Sequence, residues 1–175
     1  SISKKINGRV ILDNVSFDVN FGKICGLLGP NGAGKTSSFY AIAGLVRSDN
    51  GCISLSDENI TNMPVHKRSK LGIKYLPQEP SIFQNLTVSE NLIGMAELNF
   101  NKKKDIKDFV EKSIEEFALK DICDLKGRQL SGGQRRKVEI ARTLASNPKI
   151  ILLDEPFAGI DPIAIEDIKE VLKSL

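Results

Sequence analysis

The chain has 175 residues, of which 27% are charged and 41% hydrophobic, and these values predict a folded globular domain rather than a disordered chain. Its formal net charge of +3 is too small to indicate nucleic acid as the main ligand, and no apolar run reaches the roughly 18 residues of a membrane-spanning helix. The three cysteines are far apart and form no metal or redox spacing, which suits a reducing compartment. Because His66 is the single histidine, the sequence excludes histidine-rich metal sites and histidine pairs.

The first half of the chain predicts strands and a helix around a glycine-rich loop. Apolar and polar residues alternate over 10–19, which is typical of strands, and the apolar run 23–28 predicts a buried strand. The glycine-rich loop at 29–34 follows, and a helix is predicted over 35–46. Further strands are predicted at 51–55 and 73–76.

The second half predicts a helical insertion followed by a return to the sheet. From about 81 to 127 the charge rises and apolar residues recur at helical spacing, which indicates an inserted helical subdomain. A helix is predicted over 135–146, and the four apolar residues 150–153 are typical of a parallel strand covered on both faces. Helical spacing over 165–175 shows no stop signal, so we expect the natural protein to continue beyond it. The alternation predicts an α/β fold.

Residues 29–36 read Gly-Pro-Asn-Gly-Ala-Gly-Lys-Thr and match the phosphate-loop pattern G-x-x-x-x-G-K-[ST]. Glycines let backbone N–H groups curl around a triphosphate, and the following helix adds the positive end of its dipole. We expect Lys35 to reach the β- and γ-phosphates, the Thr36 hydroxyl to hold Mg²⁺ and Ser37 to donate to the α-phosphate. A glycine-rich turn without a ligand is the alternative, but an apolar run before it and an apolar-faced helix after it favour the phosphate loop.

Two carboxylates, Asp154 and Glu155, follow the apolar run 150–153. Ligands of parallel sheets bind beyond the carboxyl ends of the strands. We therefore expect Asp154 to face the Mg²⁺ beside Thr36, and Glu155 to orient or deprotonate a water aimed at the γ-phosphate. Solvated acids at a surface strand end are the alternative, and the phosphate loop makes it the weaker one.

A third motif, Leu-Ser-Gly-Gly-Gln at 130–134, comes shortly before the acidic strand end. In this order the three motifs resemble the nucleotide-binding subunit of ABC transporters over essentially the whole chain. The resemblance implies an α/β P-loop NTPase core with a parallel sheet, an N-terminal antiparallel β part and an inserted helical subdomain, C-terminally truncated. The implied boundaries within this single domain are 1–78 and 143–175 for the core and about 79–142 for the helical subdomain.

The resemblance also implies ATP and Mg²⁺ as ligands, and a head-to-tail homodimer with ATP at its interface. In that dimer the segment 130–134 closes over the ATP of the partner subunit. Gln78 resembles the glutamine that contacts Mg²⁺ and the attacking water, and Asp161 resembles the aspartate that faces the partner. The alternatives are that Gln78 is an ordinary loop residue and that Asp161 caps the helix after it.

The site residues implied in this way fall into three groups. The catalytic residues are Glu155, Gln78 and Lys35. The metal ligands are Thr36, Gln78 and Asp154. The ATP-binding residues are Asn31, Gly32, Ala33, Gly34, Lys35, Thr36, Ser37, Ile6, Arg9, Ser131, Gly132, Gly133, Gln134 and Asp161.

The sequence departs from the family pattern in two places. Ile6 stands where the family usually stacks an aromatic ring on adenine; it offers no π-face, and Arg9 nearby is a candidate for stacking. The switch histidine of the family follows the catalytic glutamate by about 30 residues, as the resemblance implies, whereas this chain ends 20 residues after Glu155 and His66 lies far upstream. We therefore expect this chain on its own to be impaired in hydrolysis.

Four further sequence segments favour one branch of the family. The sequences at 26–28, 39–40, 75–83 and 154–162 are similar to the ATPase of lipopolysaccharide exporters. That similarity implies an ATPase that powers lipopolysaccharide export from the inner membrane of a Gram-negative bacterium. The alternatives are the ATPase of a branched-chain amino acid importer, a non-transport ABC ATPase and a regulatory module without turnover.

The exporter interpretation implies two transmembrane permease subunits as partners and no nucleic acid. We expect the chain to be cytoplasmic and peripheral on the cytoplasmic face of the inner membrane. Candidates for the permease-docking groove are Ser81, Ile82, Phe83, Gln84 and Leu86, with Phe83 as the apolar anchor. The alternative is that Ile82 and Phe83 pack inside the helical subdomain.

Overall fold

A computed structural model describes residues 1–174 of the protein, with side chains through residue 173. These residues form two compact units. The first unit contains Ser1–Tyr75 and Lys149–Leu152, and the second contains Leu76–Pro148 and the residues from Leu153 onward. Each unit has its own cluster of buried apolar side chains.

The first unit begins with an antiparallel sheet of order β2-β1-β3, which confirms the predicted N-terminal β part. Its register places Ile6 opposite Arg9 at the end of the first hairpin. Ile2 and Leu12 of this sheet are buried together with Ala41. The strands are β1 (Ile2–Ile6), β2 (Arg9–Val15), β3 (Asn50–Gly51), β4 (Ser54–Leu55), β5 (Glu58–Asn59), β6 (Ile73–Leu76) and β7 (Ile150–Leu153). The last residue of β6 and the last residue of β7 belong to the second unit.

The predicted parallel pairing is present between β6 and β7. The carbonyl of Gly72 accepts from the N–H of Ile150, and the carbonyl of Leu76 accepts from the N–H of Asp154, so both strands run in the same direction. Two helices complete the first unit, α1 (Lys35–Ala43) and α2 (Val65–Lys70). Helix α1 ends three residues before the predicted position, where the N–H groups of the next residues turn back to the carbonyl of Tyr40.

The predicted buried strand at 23–28 is wrong for this structure. These residues form no strand, Ile24 is 75% exposed and Leu28 is 92% exposed. A strand needs a neighbour that supplies N–H and C=O groups, and within the described residues the β2 ladder ends at Val15. For the same reason the predicted alternation over 10–19 yields a strand only as far as Val15, and the predicted strand 51–55 is split between β3 and β4.

The second unit is mostly helical and includes the region from about 81 to 127 in which a helical insertion is predicted; the bounds of that insertion stay a prediction. Its largest buried cluster includes Phe117, Leu92, Val138 and Ile168, from four different helices or their ends. None of the helices in residues 1–174 is long and apolar enough to cross a membrane. The helices are α3 (Val88–Glu97), α4 (Lys103–Glu116), α5 (Gly132–Leu144) and α6 (Pro162–Ser174), with short 3₁₀ turns at Lys120–Ile122 and Gly127–Gln129.

Candidate functional site

The phosphate loop leads directly into α1, as the sequence predicts. Gly34 precedes the helix with φ of 89°, a left-handed conformation that favours glycine. A Cβ on Gly34 would lie 2.7 Å from the carbonyl oxygen of Ile11 and 3.0 Å from a methyl group of Leu12. Both the backbone conformation and the space therefore require glycine at this position.

The start of α1 is suited to an anion. No side chain caps this helix, so the N–H groups of its first turn have no intrahelical acceptor. The Lys35 ammonium donates to the carbonyls of Gly29, at 2.8 Å, and Pro30, at 2.9 Å, which holds it over the loop. Uncapped N–H groups beside a lysine are what a polyphosphate requires.

Ile6 and Arg9 lie opposite each other at the tip of the β1–β2 hairpin. Ile6 is 44% exposed and Arg9 is also exposed, so the side chains are available to a ligand. Their contact with adenine stays a prediction.

The two residues of the acidic strand end, Asp154 and Glu155, differ in burial and in backbone conformation. Asp154 is buried, and its N–H donates to the carbonyl of Leu76 at the end of β6. Glu155 is exposed and has φ of 42°, a strained value for a residue that is not glycine. Gln78 is exposed two residues after β6. In the part of the chain that the structure describes, no group of three or more His, Cys, Asp or Glu side chains forms a metal cage.

This donor set fits Mg²⁺ better than a metal held by protein alone. Mg²⁺ usually keeps several waters and binds one or two carboxylates together with substrate phosphates. Asp154 has a buried carboxylate of this kind in the second unit. In the first unit, Thr36 has a half-buried hydroxyl at the start of α1, and its predicted role as a metal ligand stays a prediction.

The signature segment, which we define as residues 130–134, starts α5 with a capping box. The Ser131 hydroxyl accepts from the N–H of Gln134 at 3.2 Å, and the Gln134 side chain accepts from the N–H of Ser131 at 2.9 Å. Ser131 and Gly132 are exposed, whereas Gly133 is buried against α6. The structure therefore leaves Ser131 and Gly132 at the surface and buries Gly133, and their contact with ATP stays a prediction.

Asp161 caps α6, which is the alternative that the sequence analysis gives for this residue. Its carboxylate accepts from the N–H of Ala164 at 2.9 Å. The carboxylate remains exposed, so the cap leaves room for a second contact.

Sequence reasoning missed Arg136, which joins two of the predicted motifs. This residue is 5% exposed, and its guanidinium donates to the carbonyl of Pro77 at 2.8 Å and to that of Asp154 at 3.2 Å. It also pairs with the Glu139 carboxylate at 3.3 Å. Arg136 thus holds the residues that immediately precede Gln78 and Glu155. The available signal was a row of charged residues at helical spacing in the predicted helix, at positions 136, 139 and 142.

The same helix holds the loop of residues 81–87. Glu139 accepts from the N–H of Ser81 at 2.6 Å, and Arg142 donates to the carbonyl of Ser81 at 2.8 Å. Arg142 also lies 4.5 Å from the ring centroid of Phe83, a cation–π contact. Burial lowers the pKa of Arg142 from its usual value, and the nearby Glu139 carboxylate acts in the opposite direction.

Asn91 completes this support from α3. It is fully buried, accepts from the N–H of Phe83 at 2.9 Å and donates to the carbonyl of Phe83 at 3.0 Å and to that of Thr87 at 2.9 Å. Ile82 is 6% exposed and Phe83 is 50% exposed. The alternative that both residues pack inside is therefore right for Ile82 only, and Phe83 remains at the surface.

Comparison with known proteins places this arrangement in a family. A family model described as ABC transporter matches residues 12–158. The chain is 50% identical to the lipopolysaccharide export system ATP-binding protein LptB of Haemophilus influenzae, covering all of this chain and 73% of that protein. It is 48% identical to the protein of the same name from Escherichia coli K12, with the same coverage.

Solved structures agree with the sequence relatives. MJ1267, an ATP-binding cassette of an ABC transporter, is 32% identical with a TM-score of 0.90, over 99% of this chain and 74% of that one. The ATP-binding cassette MJ0796, in a dimeric post-hydrolysis state bound to ADP and Pi, is 26% identical with a TM-score of 0.83, over 99% of this chain and 79% of that one.

Proposed function

Because this chain belongs to the ABC transporter family of ATP-binding proteins, we propose that it hydrolyses ATP to power lipopolysaccharide export. The observation that carries the proposal is the uncapped start of α1 behind the phosphate loop, with Lys35 held over it. The export assignment is supported by the 50% and 48% identity to proteins named LptB, over the whole of this chain.

Each motif supplies a different part of the reaction. Lys35 and the first-turn N–H groups bind and neutralise the phosphates, and Ser37 donates to the α-phosphate. Thr36, Asp154 and Gln78 are the residues that would hold Mg²⁺, which would offset the charge on the phosphate oxygens. Glu155 orients the attacking water and accepts its proton. Most of the rate acceleration then comes from positioning and charge stabilisation.

The active unit is a homodimer. Ser131, with the N–H groups at the start of α5, contacts the γ-phosphate of the ATP bound to the other subunit. This is supported by their exposure at the start of α5 and by the dimeric form of the related cassette MJ0796. ATP closes the dimer, and hydrolysis opens it again.

Replacing Glu155 by Gln tests the catalytic proposal. The variant is expected to bind ATP normally, because it retains the phosphate loop, but to hydrolyse ATP on the order of 100-fold more slowly, because the amide is not a proton acceptor. It should also accumulate as an ATP-bound dimer in gel filtration. Glu97→Gln is the matched control, since Glu97 is an exposed carboxylate on α3 outside all three motifs, and it should behave like the wild type. Wild-type turnover in Glu155→Gln would contradict the role of Glu155.

The partners are two transmembrane permease subunits, which place the chain on the cytoplasmic face of the inner membrane. Phe83 is the proposed anchor because it is a half-exposed aromatic side chain on a loop held by Asn91 and Arg142. Docking on such a fixed loop costs little ordering entropy.

Co-purification from gently solubilised membranes tests the partners. Tagged wild-type protein is expected to bring down two large permeases, and Phe83→Ala should reduce their yield at least about tenfold, as for a central interface anchor. Leu98→Ala is the control, because Leu98 is 78% exposed at the end of α3 and away from the loop. Recovery of amino acid permeases would replace the export assignment by import, and recovery of no membrane protein would contradict the transport assignment.

A further inference from the structure

Helices α5 and α6 approach each other closely at the start of α5. A Cβ on Gly133 would lie 2.5 Å from the Cβ of Ala164 and 3.6 Å from a methyl group of Ile160. Separations under 3.0 Å between such atoms require a neighbour to move. The second glycine of the signature segment is therefore needed for packing inside this chain.

Ala164 has a second connection, to the segment before α6. Its N–H donates to the Asp161 carboxylate at 2.9 Å, so one residue touches the start of α5 with its methyl group and holds Asp161 with its backbone. Gly132 lies against the same segment, because a Cβ on it would be 3.3 Å from the carbonyl oxygen of Gly159. Further along both helices, Lys137 and Asp167 form an ion pair at 2.7 Å.

We propose that Ala164 is a positioning residue that holds the signature segment and Asp161 in one fixed arrangement for capture of the partner's ATP. The inference rests on the proposed function, in which the signature segment faces the partner subunit, and on the expectation from the family resemblance that Asp161 faces it too. It adds that the two act as one surface, since Ala164 packs against Gly133 with its methyl group and donates to Asp161 with its backbone N–H.

The role of Gly133 can be separated from phosphate binding. Alanine retains the backbone N–H, and position 133 lies within the helix, where alanine is preferred to glycine. The harm done by Gly133→Ala must then come from the added methyl group, which pushes on Ala164. Removing the methyl group of Ala164 should restore the space, so the defect is expected to be reversed by a second substitution.

The experiment compares Gly133→Ala, Ala164→Gly and the double variant, each in a Glu155→Gln background that does not turn ATP over. ATP binding by the monomer, ATP-dependent dimerisation and the melting temperature are measured for each. Gly132→Ala, with and without Ala164→Gly, is the matched control. Gly132 is exposed and its nearest neighbour is Gly159, so Ala164→Gly should not rescue it.

Gly133→Ala is expected to weaken ATP-dependent dimerisation about tenfold or more, while the affinity of the monomer for ATP changes less than about threefold. The double variant should recover dimerisation to within about threefold of the parent protein.

Rescue of the melting temperature without rescue of dimerisation would overturn the positioning role and leave only a packing contact. Absence of both rescues would overturn the contact itself. If the Glu155→Gln parent does not dimerise with ATP, the dimer proposal fails, and the positioning role fails with it; the melting temperatures then still show whether the contact exists.

Discussion

A single guanidinium group connects the backbone at two motifs. Arg136 donates to carbonyls that are 77 residues apart in the chain, at Pro77 and Asp154, and it faces the carboxylate of Glu139. The planar donor fork of arginine suits acceptors that lie in different directions, which a lysine ammonium cannot reach together. The burial of this charge is costly, because the Nε atom of Arg136 has no hydrogen-bond partner among the described residues. Arg136 thus fixes the positions of the Pro77 and Asp154 carbonyls, while the burial of its Nε atom lowers the stability of the folded protein.

We expect Arg136→Lys to reduce both stability and turnover. A lysine ammonium cannot reach both carbonyls and the Glu139 carboxylate, so the buried acceptors left unpaired should lower the free energy of unfolding by about 2 kcal/mol, measured by urea titration. Because the residues after Pro77 and Asp154 are Gln78 and Glu155, kcat should fall about tenfold with little change in KM.

Arg68→Lys is the control for this prediction. Arg68 is 2% exposed and donates to carbonyls of Ala41, Ile42, Met63 and Thr61, none of which belongs to a motif. Its replacement should cost similar stability but leave kcat of the folded protein unchanged. Equal losses of kcat in both variants would show that Arg136 acts through stability alone.

Among the secondary-structure elements, α3 and α5 together hold one loop from two sides. Helix α3 begins with a capping box between Thr87 and Glu90 and contributes Asn91 from its first turn. Helix α5 contributes Glu139 and Arg142 to the backbone of Ser81. The loop therefore has the backbone hydrogen bonds of an ordered element although it is neither helix nor strand.

Replacing Asn91 by Ala should release this loop. The Phe83 N–H loses its acceptor, so its hydrogen exchange is expected to accelerate at least about tenfold, and the free energy of unfolding should fall by about 2 kcal/mol for the buried groups left unpaired. Asn99→Ala is the control, since Asn99 is exposed and its side chain bonds only the carbonyl of Met95 among the described residues. Unchanged exchange at Phe83 in Asn91→Ala would show that the loop is ordered by other contacts.

Elements with strong local signals were predictable, and those that depend on distant groups were not. The apolar run 150–153 and the helical spacing around Val138 gave β7 and α5 nearly at their observed bounds. The run 23–28 is also largely apolar, but a strand exists only where a neighbour pairs with it. The partners of Arg142 and Arg136 are carbonyls 61 and 59 residues away, and no sequence pattern marks a carbonyl. The predicted site residues were chosen by motif, so the supporting residues around them were missed.

At the scale of the whole molecule, the ATP motifs are divided between the two units. The phosphate loop and the β1–β2 hairpin belong to the first unit. The signature segment, Gln78 and both carboxylates of the acidic strand end belong to the second. Since the two units have separate buried clusters, changes in each can be followed independently.

Hydrogen exchange of the Glu155→Gln protein with Mg-ATP should therefore depend on protein concentration. At dilutions that keep the chain monomeric, ATP should slow exchange at the start of α1 but not in the signature segment. At concentrations that favour the dimer, both regions should be protected, because the second contact comes from another subunit. Lys35→Ala, which weakens phosphate binding, is the control and should show neither effect. Protection of the signature segment in the monomer would contradict capture of the ATP of a partner.

Because the backbone at Glu155 is left-handed, selection for stability and selection for ATP hydrolysis favour different residues at this position. A φ of 42° costs a residue with a side chain on the order of 1 kcal/mol relative to glycine. A library of variants screened only for heat resistance would accordingly enrich glycine at position 155 and discard the carboxylate. An engineer who wants a more robust ATPase has to hold this position constant and look for stabilising changes elsewhere in the chain.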